Sequence, residues 1–290
     1  MAAVANITEF SNSVTIGNAL SRLASPALVK SAVGLNSLYR EDLPSQTNVK
    51  KFVKRGYLTA ATLAESTALA PDANGELTDS SISATAAKIA VVSGLSVEAQ
   101  QFGNIDLRRV ADEQGGAMGR FISDDIIGMA SGLATTQTST SVMTIDDLML
   151  AVYSIHNSKV PNQDVLPHAI LGPKAVYNLK KEIIQNGASA FVNPNMLAVL
   201  GGLPSDSGFI GDIPGVCKVF QTTGFATTGG DDQQLLIHPM WCLAGIFGAA
   251  PVTWFKDKGA EGFYSEVASY YFYDVIEWND LAGVQLRSDT

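Results

Sequence analysis

Charge is what this chain has least of. Only 16% of its 290 residues are Asp, Glu, Lys or Arg, against about 25% in an ordinary soluble domain. Mean hydropathy is slightly positive, at +0.15. A free monomer needs a charged skin, so either a membrane or other chains must cover much of this surface. Positive charge is the scarcer sign: 19 Lys and Arg against 28 Asp and Glu give a net charge of −9. That argues against a basic face that grips phosphates, but not against a container that merely encloses nucleic acid. Cysteine is nearly missing too. Cys217 and Cys242 lie far apart in apolar segments, which excludes a disulfide framework and predicts two buried free thiols. The opening MAAVANITEFSNS has no basic stretch followed by an apolar one, so it does not read as a secretory leader. One uncharged run, Leu235 to Phe255, is long enough to span a bilayer. Pro239 and Pro251 break it near both ends, and Gly245 and Gly248 weaken what is left. It predicts a buried strand, a turn at Pro239 and a second buried segment.

Motifs of catalysis are also missing. There is no GxxxxGK[ST] phosphate loop, GxGxxG, GxSxG, HExxH or CxxC. The histidines are His156, His168 and His238, and no two have helical ligand spacing. The acidic pairs Asp124–Asp125 and Asp146–Asp147 fall on predicted helices, where adjacent residues do not share a face. Asp231–Asp232 falls in TTGGDDQQ, which reads as a loop. No constellation here predicts an enzyme, a metal site or a cofactor.

What remains is a chain with 46% hydrophobic and 8% aromatic residues, ample for a core. Residues 1–40 are small and polar, with weak helical spacing at Leu20, Leu23, Leu28 and Val33, and read as an arm rather than a core element. Lys50, Lys51, Lys54 and Arg55 form a small basic cluster, either a solvated face or a contact between subunits. Tyr57–Ser66 and Ser81–Val97 have strand character and flank a turn-rich stretch holding Pro71, Asn74 and Gly75. Together they predict a long hairpin too poor in apolar residues to stand alone. From Asp106 to Leu133 the period is helical, with Leu107, Val110, Ala111, Met118, Phe121, Ile122 and Met129 on one stripe. Gly115, Gly116 and Gly119 in its middle mark a bend or the close approach of another backbone. Thr144 with Asp147 predicts a capped helix that buries Leu148, Ala151, Val152 and Ile155. Val165–Leu171 reads as a buried strand. Pro173 opens a helix through Val176, Leu179, Ile183 and Ile184 that stops at Gly187. NPNMLAVLGG reads as a short helix, and GFIGDIPGVCKVFQTTG as strand, turn, strand. The Tyr- and Val-rich end reads as strands, giving an α+β chain without βαβ rhythm.

This order of elements resembles that of tailed-bacteriophage major capsid proteins of the Hong Kong 97 fold. Local sequences do too. Ala64–Glu65, Ala68–Leu69 and Pro71 match the family's stretch before the turn of its extended loop, and Lys88–Ser93 its return strand. Gly172–Pro173 with Leu179, and Ile213–Pro214–Gly215–Val216, resemble motifs of its axial domain. The resemblance implies an N-terminal arm over 1–45 and an extended hairpin loop over 46–87. It implies a peripheral domain from 88–143 and 256–290, with a spine helix at about 106–133, and an axial α/β domain over 144–255. It further implies a coat protein that self-assembles into hexamers and pentamers of an icosahedral virion capsid. Such a shell encloses double-stranded DNA and is built in the host cytoplasm, with no membrane. The expected partners are other copies of the chain, a separate scaffolding protein, a portal and a decoration protein. Lys50, Lys51, Lys54, Arg55, Asn74 and Gly75 are the candidate inter-subunit contacts; some relatives cross-link a hairpin lysine to an asparagine, though no acceptor is matched here. Three alternatives stand beside it. One is an encapsulin-type compartment, which lacks a long extended arm. Another is a soluble α+β enzyme using Cys217, Cys242 and the histidines. The last is a secreted binding module, disfavoured by the missing leader.

Overall fold

Close backbone approach explains two of the glycines of the long helix, Gly115 and Gly119. The computed structural model describes residues 18–44, 47–55, 79–96, 107–139, 142–158, 164–187, 208–224, 227–228, 231–257 and 264–289. Helix α1 covers 18–31 and helix α2 covers Leu107–Gly128. A Cβ on Gly115 would lie 2.3 Å from the Ala24 carbonyl oxygen, and one on Gly119 would lie 2.5 Å from that of Leu28. Both pairs are four residues apart, so α1 crosses α2 over a strip without side chains. Each glycine costs about 1 kcal/mol of helix propensity, offset by this contact.

The prediction that residues 1–40 stay outside the core is therefore corrected. Leu28, Ala32, Leu35 and Leu38 belong to the main core, and Leu20 packs with Leu95, Val110, Ala111 and Val267 in a second cluster. The inward face of α1 includes Ala24 and Ala27, small residues that dilute the hydrophobic period. On α2, Phe121 is exposed instead of sharing the buried stripe, and Gln114 is buried instead.

A five-stranded sheet carries the α1–α2 pair. Its strands are β1 (Tyr39–Asp42), β4 (Ala87–Ser96), β11 (Leu243–Phe247), β12 (Val252–Asp257) and β13 (Tyr264–Glu277). The long β13 pairs with β4 along one edge and with β12 and then β11 along the other. Gln114 locks α2 onto this sheet. Its amide nitrogen donates to Ser93 Oγ and the Val267 carbonyl, and its oxygen accepts from Ser269.

A separate hairpin joins β2 (Val49–Arg55) to β3 (Asp79–Thr85) in full antiparallel register. Only Ala86 separates β3 from β4, so the single strand predicted over 81–97 is two strands in near continuity. The strand predicted at Tyr57–Ser66 lies outside the described residues.

The second sheet has seven strands, in the order β5 (Thr135–Thr138), β14 (Gly283–Asp289), β10 (Asp231–Ile237), β6 (His168–Leu171), β8 (Cys217–Gln221), β7 (Phe209–Ile213), with β9 (Thr227–Thr228) also on β10. Helix α3 (Ile145–Asn157) has the predicted capping box between Thr144 and Asp147 and buries all four predicted residues. Helix α4 (Pro173–Gly187) follows β6 as predicted, but Ile184 points out to solvent. The strands β6 and β8 are parallel, joined by a connection that includes α4. That is one crossover where the sequence predicted no βαβ rhythm. Asp231 and Asp232 are on a strand, not a loop. The uncharged run from Leu235 folds as predicted, as strand, turn at Pro239 and second buried strand. The short helix predicted at NPNMLAVLGG lies outside the described residues. One core spans both sheets, from Leu235 and Leu286 through Ile122 and Ile126 to Phe247 and Tyr273.

Candidate functional site

The hairpin has little apolar material of its own, so its root must be held by the body. Phe52 sits edge-on to Tyr39, with ring centroids 6.3 Å apart, and 6.1 Å from Trp278. Ala84, Ala86, Ala244 and Ile246 complete this cluster. Polar clamps surround it. The Thr85 N–H donates to Asp274 at 2.6 Å, Lys50 pairs with Glu41, and Lys54 pairs with Asp280 at 3.3 Å. The Lys50 ammonium holds the Glu41 carboxyl below its ordinary range. Burial pushes the Asp274 carboxyl up, against the Thr85 hydrogen bond.

These contacts place four of the six candidate residues. Lys50 and Lys54 are engaged by their own chain, Lys51 is exposed, and Arg55 ends β2. Asn74 and Gly75 lie outside the described residues.

A surface that sequence reasoning missed lies on the outer face of the five-stranded sheet. Odd-numbered residues of β13 from Ser265 to Val275 are buried, so the even ones point away. Register then builds rows: Trp254, Ala268 and Val92 in one, Val252, Tyr270 and Ala90 in the next. Trp254 is 59% exposed and Val92 65%. Large apolar residues occupy both faces of β13, Val267, Tyr271, Tyr273 and Val275 inward and Tyr270 and Phe272 outward, which hid the alternation.

The chemistry available elsewhere is slight. Burial pushes the Cys217 thiol up to about 12 and the Cys242 thiol well above its ordinary value. Neither is a ready nucleophile. Burial lowers His168 to about 4, and its Nδ1 lies 2.9 Å from Ser37 Oγ. Asp147 is used in the α3 cap, and Asp125 accepts from the Tyr273 hydroxyl. A cleft of about 340 Å³ between α1, α2 and β8 is lined by Arg120, Asp124 and hydroxyls, but not by Cys or His. Among the described residues, no cluster of three potential metal ligands occurs and no helix is long and apolar enough to cross a membrane.

No protein-family model matches the chain, and no curated protein does. Solved structures do match. The capsid of Ralstonia phage GP4 aligns with a TM-score of 0.67 at 10% identity, over 88% of this chain and 87% of that one. The capsid of Helicobacter pylori bacteriophage KHP30 aligns at 0.64 and 14% identity, over 92% of each. A virus-like particle from Pyrococcus furiosus aligns at 0.55 and 10% identity, over 92% of this chain and 97% of that one. The chain thus has the fold of phage major capsid proteins.

Proposed function

We propose that this chain is the shell-forming subunit of a tailed-phage head. The fold match along nearly the whole chain carries this reading. The scarcity of charge and the uncovered aromatic sheet face support it, because a shell subunit buries such surface against its neighbours. In this proposal β4, α2 and β13 belong to the peripheral domain, α2 is its spine, and the seven-stranded sheet with α3 and α4 is the axial domain. This differs from the bounds expected from the sequence, since β5 and β14 fall in the ranges 88–143 and 256–290 yet join the seven-stranded sheet, and β11 falls in 144–255 yet joins the five-stranded one. The hairpin reaches across an adjacent copy. Closed hexamers and pentamers form the shell. The acidic chain encloses double-stranded DNA without gripping it, like charge keeping the packaged DNA mobile. Scaffolding protein, portal and decoration protein are the proposed partners, and the virion the proposed location.

Light scattering on a sizing column, followed by negative-stain microscopy, tests this directly. Megadalton icosahedral particles or discrete capsomers are expected. A 30.6 kDa monomer under every condition, scaffold included, would sink the proposal. The likeness to the Pyrococcus furiosus particle favours one second reading, a compartment that holds cargo protein. Nuclease-resistant DNA inside purified particles supports the phage head; co-purifying enzyme without DNA supports the compartment. A single monomer-sized band after boiling in detergent would exclude covalent linkage through Lys50, Lys51 or Lys54.

A further inference from the structure

Helix α3 is apolar on both sides. Leu148, Ala151, Val152 and Ile155 face the core, and yet Met149, Leu150 and Tyr153 are exposed, Tyr153 at 66%. A helix that is hydrophobic all round is one built to be buried. Asp146 continues this outer stripe at its N-terminal end. Helix α4 shows the reverse charge. Its exposed stripe reads Lys174, Tyr177, Lys181 and Ile184, with Tyr177 at 64% and Ile184 at 58% exposure. In a chain of net charge −9, two lysines on the outer stripe of one helix complement the single carboxylate, Asp146, at the end of the other. Among the described residues, no ion pair joins Asp146 to Lys174 or Lys181. The Ile145 N–H to Glu182 hydrogen bond, at 2.9 Å, fixes the start of α3 against the side of α4.

We infer that the outer stripe of α3 on one copy packs against the outer stripe of α4 on the next, head to tail, with Asp146 facing the lysines. This rests on the shell reading and adds to it the residues of one contact between copies. Two different faces meet, so the contact is heterologous and each copy keeps one of each face free. Repetition by rotation closes a ring. The small apolar area of each stripe is supplemented by the opposite charges, which orient the encounter and disfavour α3 on α3 or α4 on α4.

The test uses Tyr153→Glu and Tyr177→Glu in the full chain, with sedimentation of each variant alone and of an equal mixture at high concentration. Both side chains are exposed, so circular dichroism and melting should match the wild type and show that the variants fold. Each variant alone should lose the assemblies the wild type forms. The mixture should give a species of twice the monomer mass and nothing larger. Tyr177→Glu supplies the intact α3 face and Tyr153→Glu the intact α4 face, and the remaining two faces are spoiled. As a second arm, Asp146→Lys should weaken assembly, and Lys181→Asp added to the same chain should restore it. Variants that assemble like an assembling wild type overturn the contact but leave the shell reading standing. Loss with Tyr153→Glu but not Tyr177→Glu would mean α3 meets α3, and also overturns it. A mixture that stays monomeric, with no rescue by charge exchange, overturns it too. A wild type that never assembles takes down both readings.

Discussion

At the scale of single residues, one methyl group separates a tolerated change from a damaging one. On Gly119 it would press within 2.5 Å of the Leu28 carbonyl; on Gly128, in the same helix, it would meet nothing. Gly119→Ala should therefore lower the stability of the chain by about 1–3 kcal/mol through overpacking. Gly128→Ala should raise it by about 0.4–1 kcal/mol by stiffening the unfolded chain. Urea denaturation of the unassembled subunit measures both, and the opposite ranking would refute the close crossing of α1 and α2. The sequence showed the glycines but not which backbone they admit, because that partner is more than 80 residues away. His168 yields a second prediction. Burial lowers it from 6.5 to about 4, so the fold favours neutral imidazole. That contribution is intact above pH 6.5 and drains away as pH falls towards 4, by roughly 3 kcal/mol in all. His168→Gln should unfold with a shallower loss of stability between pH 6.5 and 4 than the wild type. Parallel slopes for the two proteins would remove His168 from the account.

Elements were legible where local chemistry sets them. The Thr144–Asp147 box, Pro173 and the helical period of α2 all mark helices that the structure contains. Helix α1 was illegible because alanine supplies much of its buried face. The split of one predicted strand into β3 and β4 was illegible because nothing local in Ala86 announces that pairing partners change there. The root of the hairpin depends on a residue the sequence left unremarked, Phe52, wedged against Tyr39 and Trp278. Phe52→Ala should cost about 3 kcal/mol locally. Amide exchange over 49–55 and 79–85 should then accelerate by about a hundredfold while α2 stays protected. Uniform acceleration across the chain would show that the hairpin is not a separate unit, and no acceleration that Phe52 does not hold it.

For the whole molecule, composition announced that surface must be covered but could not say which. Low charge is a sum over the chain, whereas a patch depends on register across β12, β13 and β4. Trp254 is the most prominent side chain of that patch. Trp254→Glu should leave melting of the isolated subunit within about 0.5 kcal/mol of the wild type, as for other surface changes. It should reduce particle yield at least tenfold by microscopy. Normal yield would mean the face remains open in the assembled state. The same limit applied to the basic cluster: the sequence could group Lys50, Lys51 and Lys54, but not foresee that Glu41 and Asp280 of the same chain engage two of them.

The near-unbroken run from β3 through Ala86 into β4 also has a mechanical meaning. Beyond it, β4 is bonded to β13 over ten residue pairs, from Ala87 to Ser96. A pull on the hairpin is loaded along the covalent chain and then shared by a whole ladder in shear, where many hydrogen bonds resist together. A flexible linker at that point would let the hairpin swing without disturbing the sheet. Here any tilt of the hairpin must twist the sheet, and with it the long helix locked on by Gln114, so a load applied to the hairpin is delivered to the body of the chain as torque.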